Sequence, residues 1–164
     1  MQAIETVTTE TRRTLILGLA GWLALCFAAS AMGALFMPGD WYGALQKPAW
    51  NPPNWVFGPV WMLLYLMMAV AVWMVWQHGG WVKQRKPLTC FLIQLGLNAA
   101  WSPLFFGMRR PDLAFLDIVL LWLAIAVTIL SFWKVHKAAA WLLAPYLAWV
   151  SFASALNFAI WQLN

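Results

Sequence analysis

The stretch 56-VFGPVWMLLYLMMAVAVWMVW-76 contains no charged side chain. A helix of about 20 apolar residues is long enough to cross the hydrocarbon core of a bilayer. The whole chain of 164 residues follows the same trend, with 64% hydrophobic and 9% charged residues. Because a soluble domain carries about 25% charged residues, this composition excludes an ordinary soluble protein.

Four further apolar runs have the length of a membrane span. None of the five runs shows the strict alternation of a barrel strand, and a helix satisfies its own backbone hydrogen bonds in lipid. The sequence therefore predicts an all-α membrane protein, one domain over residues 1–164, built as a five-transmembrane-helix bundle. A long Pro- and Trp-rich loop joins helices 1 and 2. The predicted helices cover residues 15–36, 56–76, 88–107, 113–133 and 138–163.

The first apolar run has two interpretations. An Arg-Arg pair at 12–13, followed by an apolar stretch and Ala-Ser-Ala at 29–31, is typical of a cleavable signal peptide. The run nevertheless continues to spanning length. It also carries Ala20, Ala24 and Ala28 at four-residue spacing, a pattern typical of helices that pack closely in lipid. We expect this run to remain as the first helix.

The basic residues indicate how the bundle is oriented. Cytoplasmic loops carry an excess of Lys and Arg. This excess falls on the amino-terminal tail and on the connections after the second and fourth helices. We therefore expect the amino terminus to be cytoplasmic if the protein lies in a plasma or inner membrane. Since the basic clusters alternate with apolar runs, the net charge of +5 indicates membrane topology and not nucleic-acid binding. The basic residues on the amino-terminal side are Arg12, Arg13, Lys83, Arg85, Lys86, Lys134 and Lys137. Those on the opposite side are Lys47, Arg109 and Arg110.

The connection over residues 37–55 is longer than the others and rich in proline. Proline restricts its own backbone and that of the preceding residue, so we expect this loop to be stiff and ordered. Long ordered loops at the mouth of a scaffold often serve as lids over binding sites. An equally good interpretation is a structural cap in which Trp41, Trp50 and Trp55 anchor the protein in the membrane interface.

Side chains for conventional catalysis or metal binding are scarce. Cys26 and Cys90 fall within spans without metal-binding spacing, so we expect them to pack as small apolar residues. His78 and His136 lie in connections on the same predicted side of the membrane. We expect them to be solvated, with ligation of a haem iron as the alternative. No phosphate loop, pair of catalytic carboxylates or Ser-His-Asp arrangement is present, and no metal site is predicted.

Asp117 is the one charged residue within the five apolar runs. An ionisable group inside a span is a candidate for a proton or ligand site. However, Asp117 lies only a few residues after Asp112, near the start of the fourth helix. A carboxylate there can face interfacial water or favour the helix amino terminus. We expect this structural role for Asp117.

Helical spacing places large rings and polar side chains on shared faces of three helices. An amide in hydrocarbon needs a hydrogen-bond partner, so we expect Asn98 and Asn157 to point inward. The small Ala153 beside Trp149 would leave space for a ligand. Ordinary interhelical packing explains the same spacing and stays open as the alternative. The shared faces combine Trp61 with Tyr65, Asn98 with Trp101, and Trp149 with Ala153, Leu156 and Asn157.

Three segments resemble the TspO/MBR family, which includes the bacterial tryptophan-rich sensory proteins and the translocator protein, or peripheral-type benzodiazepine receptor. They occur in the family's order, and the similarity extends from the first span to the end, as in a bacterial member. The pattern WYxxLxKPxWxPPxW is highly specific. The segments are 41-WYGALQKPAWNPPNWVFGPVWMLLY-65, 94-QLGLNAAWSPLFFG-107 and 145-PYLAWVSFASALNFAIW-161.

The resemblance implies five transmembrane helices, often in a homodimer, and a pocket for tetrapyrroles such as protoporphyrin IX and haem. Some members bind sterols or benzodiazepine-type ligands. The sterol motif of animal members needs Tyr and a basic residue where this chain has Phe158 and Gln162, so sterol binding of that kind is not expected. The implied pocket residues are Tyr42, Trp61, Asn98, Trp101, Trp149, Ala153 and Leu156, closed by the loop residues Trp41, Trp50 and Trp55.

Three functions follow as hypotheses. The first is a membrane receptor or sensor that binds a tetrapyrrole as a ligand and requires no cofactor. The second is an enzyme that degrades porphyrin with light and oxygen, for which Trp61 and Trp149 are the candidate electron donors. The third is a porphyrin or sterol transporter, but the chain lacks the inverted repeat and the charged midplane site that secondary transporters usually show.

Overall fold

The computed structural model describes residues 2–36 and 38–164, with side chains from residue 12 onwards, and the regular elements in these ranges are helices. Five segments have the length and apolar character of membrane spans, which confirms the predicted five-helix bundle. They are Arg12–Ala34, Asn54–Trp76, Gly80–Gly107, Pro111–Trp133 and Lys137–Leu163.

Seven α-helices and one π-helical turn form the described chain. The π-helical turn continues the third span, and two short helices lie in the first loop and at the start of the fifth span. In chain order the elements are α1 (Gln2–Ala34), α2 (Asp40–Ala44), α3 (Asn54–Trp76), α4 (Gly80–Ser102), the π-helical turn (Pro103–Gly107), α5 (Pro111–Trp133), α6 (Lys137–Leu142) and α7 (Ala144–Leu163).

The third span begins earlier than the sequence predicted. The prediction placed its start at residue 88, because the basic residues 83–86 indicated a loop. In the structure α4 begins at Gly80, leaves helical geometry at Gln84 (φ −110°, ψ 27°) and contains Pro87. Lys83 therefore lies in a short helical piece before the kink, whereas Arg85 and Lys86 lie after it, at the start of the apolar piece that was predicted.

The fifth span is broken near its start. α6 ends at Leu142 and α7 begins at Ala144, with Pro145 in its first turn. Proline has no backbone N–H and fits best in the first turn of a helix. The break therefore falls where the sequence places the proline, inside the single run predicted over residues 138–163.

Two clusters of buried side chains hold the bundle together. The larger cluster lies toward the α3–α4 connection and contains Met68, Val72 and Phe91, all fully buried. The smaller cluster lies beside the first loop, where Tyr42 of α2 packs with Phe105 of the π-helical turn and three residues of α5 and α7. The described part of the loop, residues 38–55, thus contributes to the core through Tyr42.

Asp117 does not face interfacial water, and this expectation was wrong. Its side chain is only 7% exposed, and its Oδ2 atom is buried with no hydrogen-bond partner in the described part of the chain. α5 begins at Pro111, so Asp117 lies beyond the first turn, where the attraction of the helix amino terminus has faded. Helical geometry continues on both sides of Asp117, and it turns the Asp117 side chain toward the interior of the bundle.

α1 approaches α3 closely at Gly18. A Cβ atom built on Gly18 would lie 2.4 Å from Cζ3 of the Trp76 ring, closer than real contacts allow. On the same helix, a Cβ atom on Gly21 would have no neighbour within 4 Å. The absence of a side chain at Gly18 therefore permits the contact between α1 and the end of α3.

We expect Gly18→Ala to lower the thermal unfolding temperature in detergent, because overpacking a tight contact costs about 1–3 kcal/mol. The matched control Gly21→Ala should be neutral or stabilising by about 0.5–1 kcal/mol, since alanine is the better helix former. Equal unfolding temperatures for the two variants would contradict the close contact.

Candidate ligand-binding cavity

A cavity of about 730 Å³ lies where the two buried clusters meet, next to the first loop. Small-molecule sites commonly have volumes of about 300–1,000 Å³ and mostly apolar walls, so this cavity has the size and character of a ligand site. All nine residues that the sequence analysis assigned to ligand binding line it. They are Tyr42, Trp61, Tyr65, Asn98, Trp101, Trp149, Ala153, Leu156 and Asn157.

Aromatic rings in mutual contact form much of the cavity wall. Trp61 lies 5.7 Å from Tyr65 and 6.2 Å from Tyr146, measured between ring centroids. Trp101 stacks on Phe105 at 4.9 Å with an interplanar angle of 21°. Contacts of this kind favour defined ring orientations, so the wall offers flat apolar surfaces that are already positioned.

A chain of hydrogen bonds leads from the cavity into the core. The Tyr65 hydroxyl donates to Asn98 Oδ1, and Asn98 Nδ2 donates to the Tyr146 hydroxyl at 2.9 Å. The Tyr146 hydroxyl in turn donates to Gln94 Oε1 at 3.0 Å. The inward orientation predicted for Asn98 is therefore confirmed, and its amide links α3, α4 and α7.

Asn157 also points inward, as predicted, but its amide is fully engaged in structural bonds. Trp101 Nε1 donates to Asn157 Oδ1 at 3.0 Å, and Asn157 Nδ2 donates to the Pro111 carbonyl oxygen at 2.8 Å. These bonds tie α7 to α4 and to the start of α5. The indole N–H of Trp101 is consequently occupied within the protein.

Trp149 differs from Trp101 in the hydrogen bonding of its indole N–H. Its Nε1 atom is buried and has no hydrogen-bond partner among the described residues. The ring lies 5.8 Å from Phe57 and 5.5 Å from Phe152 between centroids, so aromatic neighbours surround it. A buried donor without a partner is unfavourable by about 1–3 kcal/mol.

The short helix α2 brings Tyr42 into the cavity wall. The Tyr42 ring lies between Phe105 and Phe106, and the Lys47 ammonium sits 4.6 Å from its centroid on the other side. Lys47 Nζ also donates to the Leu45 carbonyl oxygen at 3.1 Å, after the end of α2. Burial raises the pKa of the Tyr42 phenol, which therefore stays neutral and able to donate.

The three loop tryptophans occupy different positions. Trp55 lines the cavity although its side chain is 74% exposed, which places it at the mouth. Trp41 and Trp50 do not line it, because they pack on Phe105 and Phe152 from outside, at 5.9 and 5.8 Å. They support the wall, and their part in closing the cavity stays a prediction.

The histidines lie away from the cavity lining. The rings of His78 and His136 are 5.4 Å apart, at the connections after α3 and α5. His78 Nδ1 lies 2.9 Å from the Met74 carbonyl oxygen, and His136 Nδ1 accepts from the Ala139 N–H at 3.3 Å. Neither residue is positioned to ligate the iron of a haem bound in this cavity. The described residues also contain no group of three metal-ligating side chains.

Sequence reasoning missed the contributions of α1 and of the π-helical turn. The spacing of Ala20, Ala24 and Ala28 predicted that α1 packs against other helices, yet other residues of α1 border the cavity. Pro103 opens a π-helical turn in which Met108 N–H bonds to the Pro103 carbonyl oxygen, and such turns are frequent at functional sites. A proline two residues after Trp101 was the available signal. The missed lining residues include Phe27, Ser30, Gly33, Ala34, Phe105 and Phe106.

The fold and the cavity together define an integral, multi-pass α-helical membrane protein with an internal aromatic chamber. The model of the TspO/MBR family matches residues 22–162, and the chain belongs to this family. The chain is 49% identical over 154 residues to the Tryptophan-rich protein TspO of Chlorobaculum tepidum, covering 91% of this chain and 97% of that one.

Two further relatives show the breadth of the similarity. The human Translocator protein is 43% identical over 138 residues, covering 81% of this chain and 82% of that protein. The Tryptophan-rich sensory protein of Cereibacter sphaeroides is 40% identical over 143 residues, covering 87% and 89%. The similarity therefore includes the helices and the loop that build the cavity, which confirms the resemblance seen in the three sequence segments.

A side chain from α7 ties down the loop that carries Tyr42. The Gln46 N–H donates to Asn164 Oδ1 at 3.0 Å, and Asn164 Nδ2 donates back to the Gln46 carbonyl oxygen at 3.0 Å. We expect Asn164→Ala to speed hydrogen exchange of the Gln46 amide about five- to tenfold, since a hydrogen bond contributes about 1 kcal/mol.

The control for this measurement is Gln162→Ala, an exposed position in the last turn of α7 that makes no hydrogen bond to the described part of the loop. Exchange at Gln46 should be unchanged in that variant. If Asn164→Ala also leaves the exchange rate unchanged, the pair of hydrogen bonds does not hold the loop.

Proposed function

We propose that this chain is a membrane receptor or sensor that binds a tetrapyrrole, with protoporphyrin IX as the favoured ligand. The observation that carries the proposal is the cavity of about 730 Å³, whose aromatic walls include Trp61, Trp101 and Trp149. Flat apolar walls suit a planar macrocycle. The family resemblance supplies the ligand class.

The lining also bears on the choice between protoporphyrin IX and haem. No histidine or cysteine is among the described residues that line the cavity. The iron of haem would therefore gain neither an imidazole nor a thiolate ligand there. We expect metal-free protoporphyrin IX to bind at least as tightly as haem.

We expect Trp149→Phe to weaken protoporphyrin IX binding about five- to tenfold, because the smaller ring offers the macrocycle about 1 kcal/mol less apolar contact. The measurement is a titration of the purified protein followed by the porphyrin absorption band. The control Trp141→Phe changes an indole of α6 that is 64% exposed and outside the cavity lining.

A second pair of variants tests the cavity by volume. Ala153→Phe places a ring in the cavity and should abolish saturable binding, whereas Ala155→Phe on the exposed face of α7 should leave it intact. Both variants must elute as folded protein. Saturable binding that neither Trp149→Phe nor Ala153→Phe alters would place the ligand elsewhere and contradict the proposal.

A second candidate function is light- and oxygen-dependent porphyrin degradation. It is favoured by the position of Trp61, whose ring contacts Tyr65 and Tyr146 at the cavity wall. Together with Trp149, it would be an electron donor to an excited porphyrin. This function requires a new absorbing product that forms only with light and oxygen and forms more slowly in Trp61→Phe. Bleaching at the rate of free porphyrin in detergent would exclude it.

Three further properties belong to the proposal. The amino terminus is proposed to be cytoplasmic if the protein lies in a plasma or inner membrane, because seven of the ten basic residues fall on its side of the bundle. The family resemblance suggests a homodimer. Sterol recognition at the end of α7 is not part of the proposal, because Phe158 and Gln162 are exposed and lie outside the cavity lining. Transport is not favoured by any feature of the described spans.

A further inference from the structure

Asp117 is a buried carboxyl group that the proposed ligand binding does not use. It does not line the cavity, although Ile118 and Leu121 on the same helix do. Its side chain is 7% exposed, and Oδ2 is buried without a partner in the described chain. The other polar side chains nearby in the core, such as Asn98 and Asn157, have their hydrogen bonds satisfied.

No positive charge faces Asp117 from the helices packed around it. α5 packs against α4, α6, α7 and the π-helical turn. The apolar piece of α4, the π-helical turn and α7 contain no charged residue, and Lys137 of α6 lies at the far end of α5.

The basic residue directly before α5 already has an acidic partner. Arg110 pairs with Asp112 through two hydrogen bonds of 2.8 and 2.6 Å at the exposed start of the helix. This pair raises the pKa of the Arg110 guanidinium, which therefore remains fully charged and bound to Asp112. An ionised Asp117 would consequently be an uncompensated charge within a membrane span.

We infer that Asp117 is a proton-binding site, occupied in the resting protein as a neutral carboxylic acid. An unpaired charge in hydrocarbon or a protein interior is strongly unfavourable, and uptake of a proton is the usual way to remove it. The proton comes from water and forms the O–H bond on one carboxyl oxygen. This site is independent of the proposed ligand, because its occupancy follows from burial alone.

The test uses the folded wild-type protein labelled with carbon-13 at the aspartate carboxyl groups. The sequence has three aspartates, Asp40, Asp112 and Asp117, so the carbon-13 spectrum is simple. At neutral pH we expect one signal at the position of a protonated carboxyl and two at that of a carboxylate. Three carboxylate signals would overturn the inference, and this result requires no variant to fold.

Assignment uses Asp117→Asn, a substitution of nearly equal shape that cannot ionise, with Asp112→Asn as the matched control. The protonated-carboxyl signal, and the corresponding infrared C=O band, should vanish in Asp117→Asn and persist in Asp112→Asn. If Asp112→Asn removes the signal instead, the proton is not on Asp117. None of these spectra depends on porphyrin, so failure here and failure of the proposed function are separate results.

Discussion

Hydrogen-bonding groups inside a bilayer must find their partners within the protein, and this constraint organises the bundle. The side chains of Tyr65, Asn98, Tyr146 and Gln94 meet it by bonding to one another across α3, α4 and α7. Apolar packing alone does not distinguish one helix neighbour from another when lipid is equally apolar. The chain of hydrogen bonds favours one arrangement of these three helices. The cavity lies beside the end of this chain at Tyr65.

The cavity owes its form to interrupted helices and to the unequal size of neighbouring side chains. Proline opens the π-helical turn after α4, which carries Phe105 and Phe106 to the wall. Opposite them, Gly33 and Ala153 offer little volume while Trp61 and Trp149 project large rings. A bundle that combines such residues cannot fill the space between them. The result is a chamber with rigid aromatic walls.

Most features of the cavity were predictable because they depend on local spacing. The pairs Trp61–Tyr65 and Asn98–Trp101 lie one helical turn apart and must share a face, and inward amides follow from the cost of an unpaired polar group. The kink at Gln84 has a local signal in Pro87, which lacks a backbone N–H and crowds the preceding turn, but the basic residues beside it favoured a loop. The burial of Asp117 was missed because helix rotation about its axis is decided by the neighbouring helices.

The sequence by itself determined the class of protein, the number of spans and the residues most able to bind a flat ligand, because length, apolar character and 3.6-residue periodicity are properties of single helices. Only the tertiary structure decided which donors remain free. Trp101 and Trp149 look alike in the sequence, yet the indole of Trp101 bonds to Asn157 while that of Trp149 has no partner in the described chain. The difference arises because α4 and α7 approach each other where Trp101 meets Asn157, so that an acceptor from α7 reaches the indole N–H of Trp101.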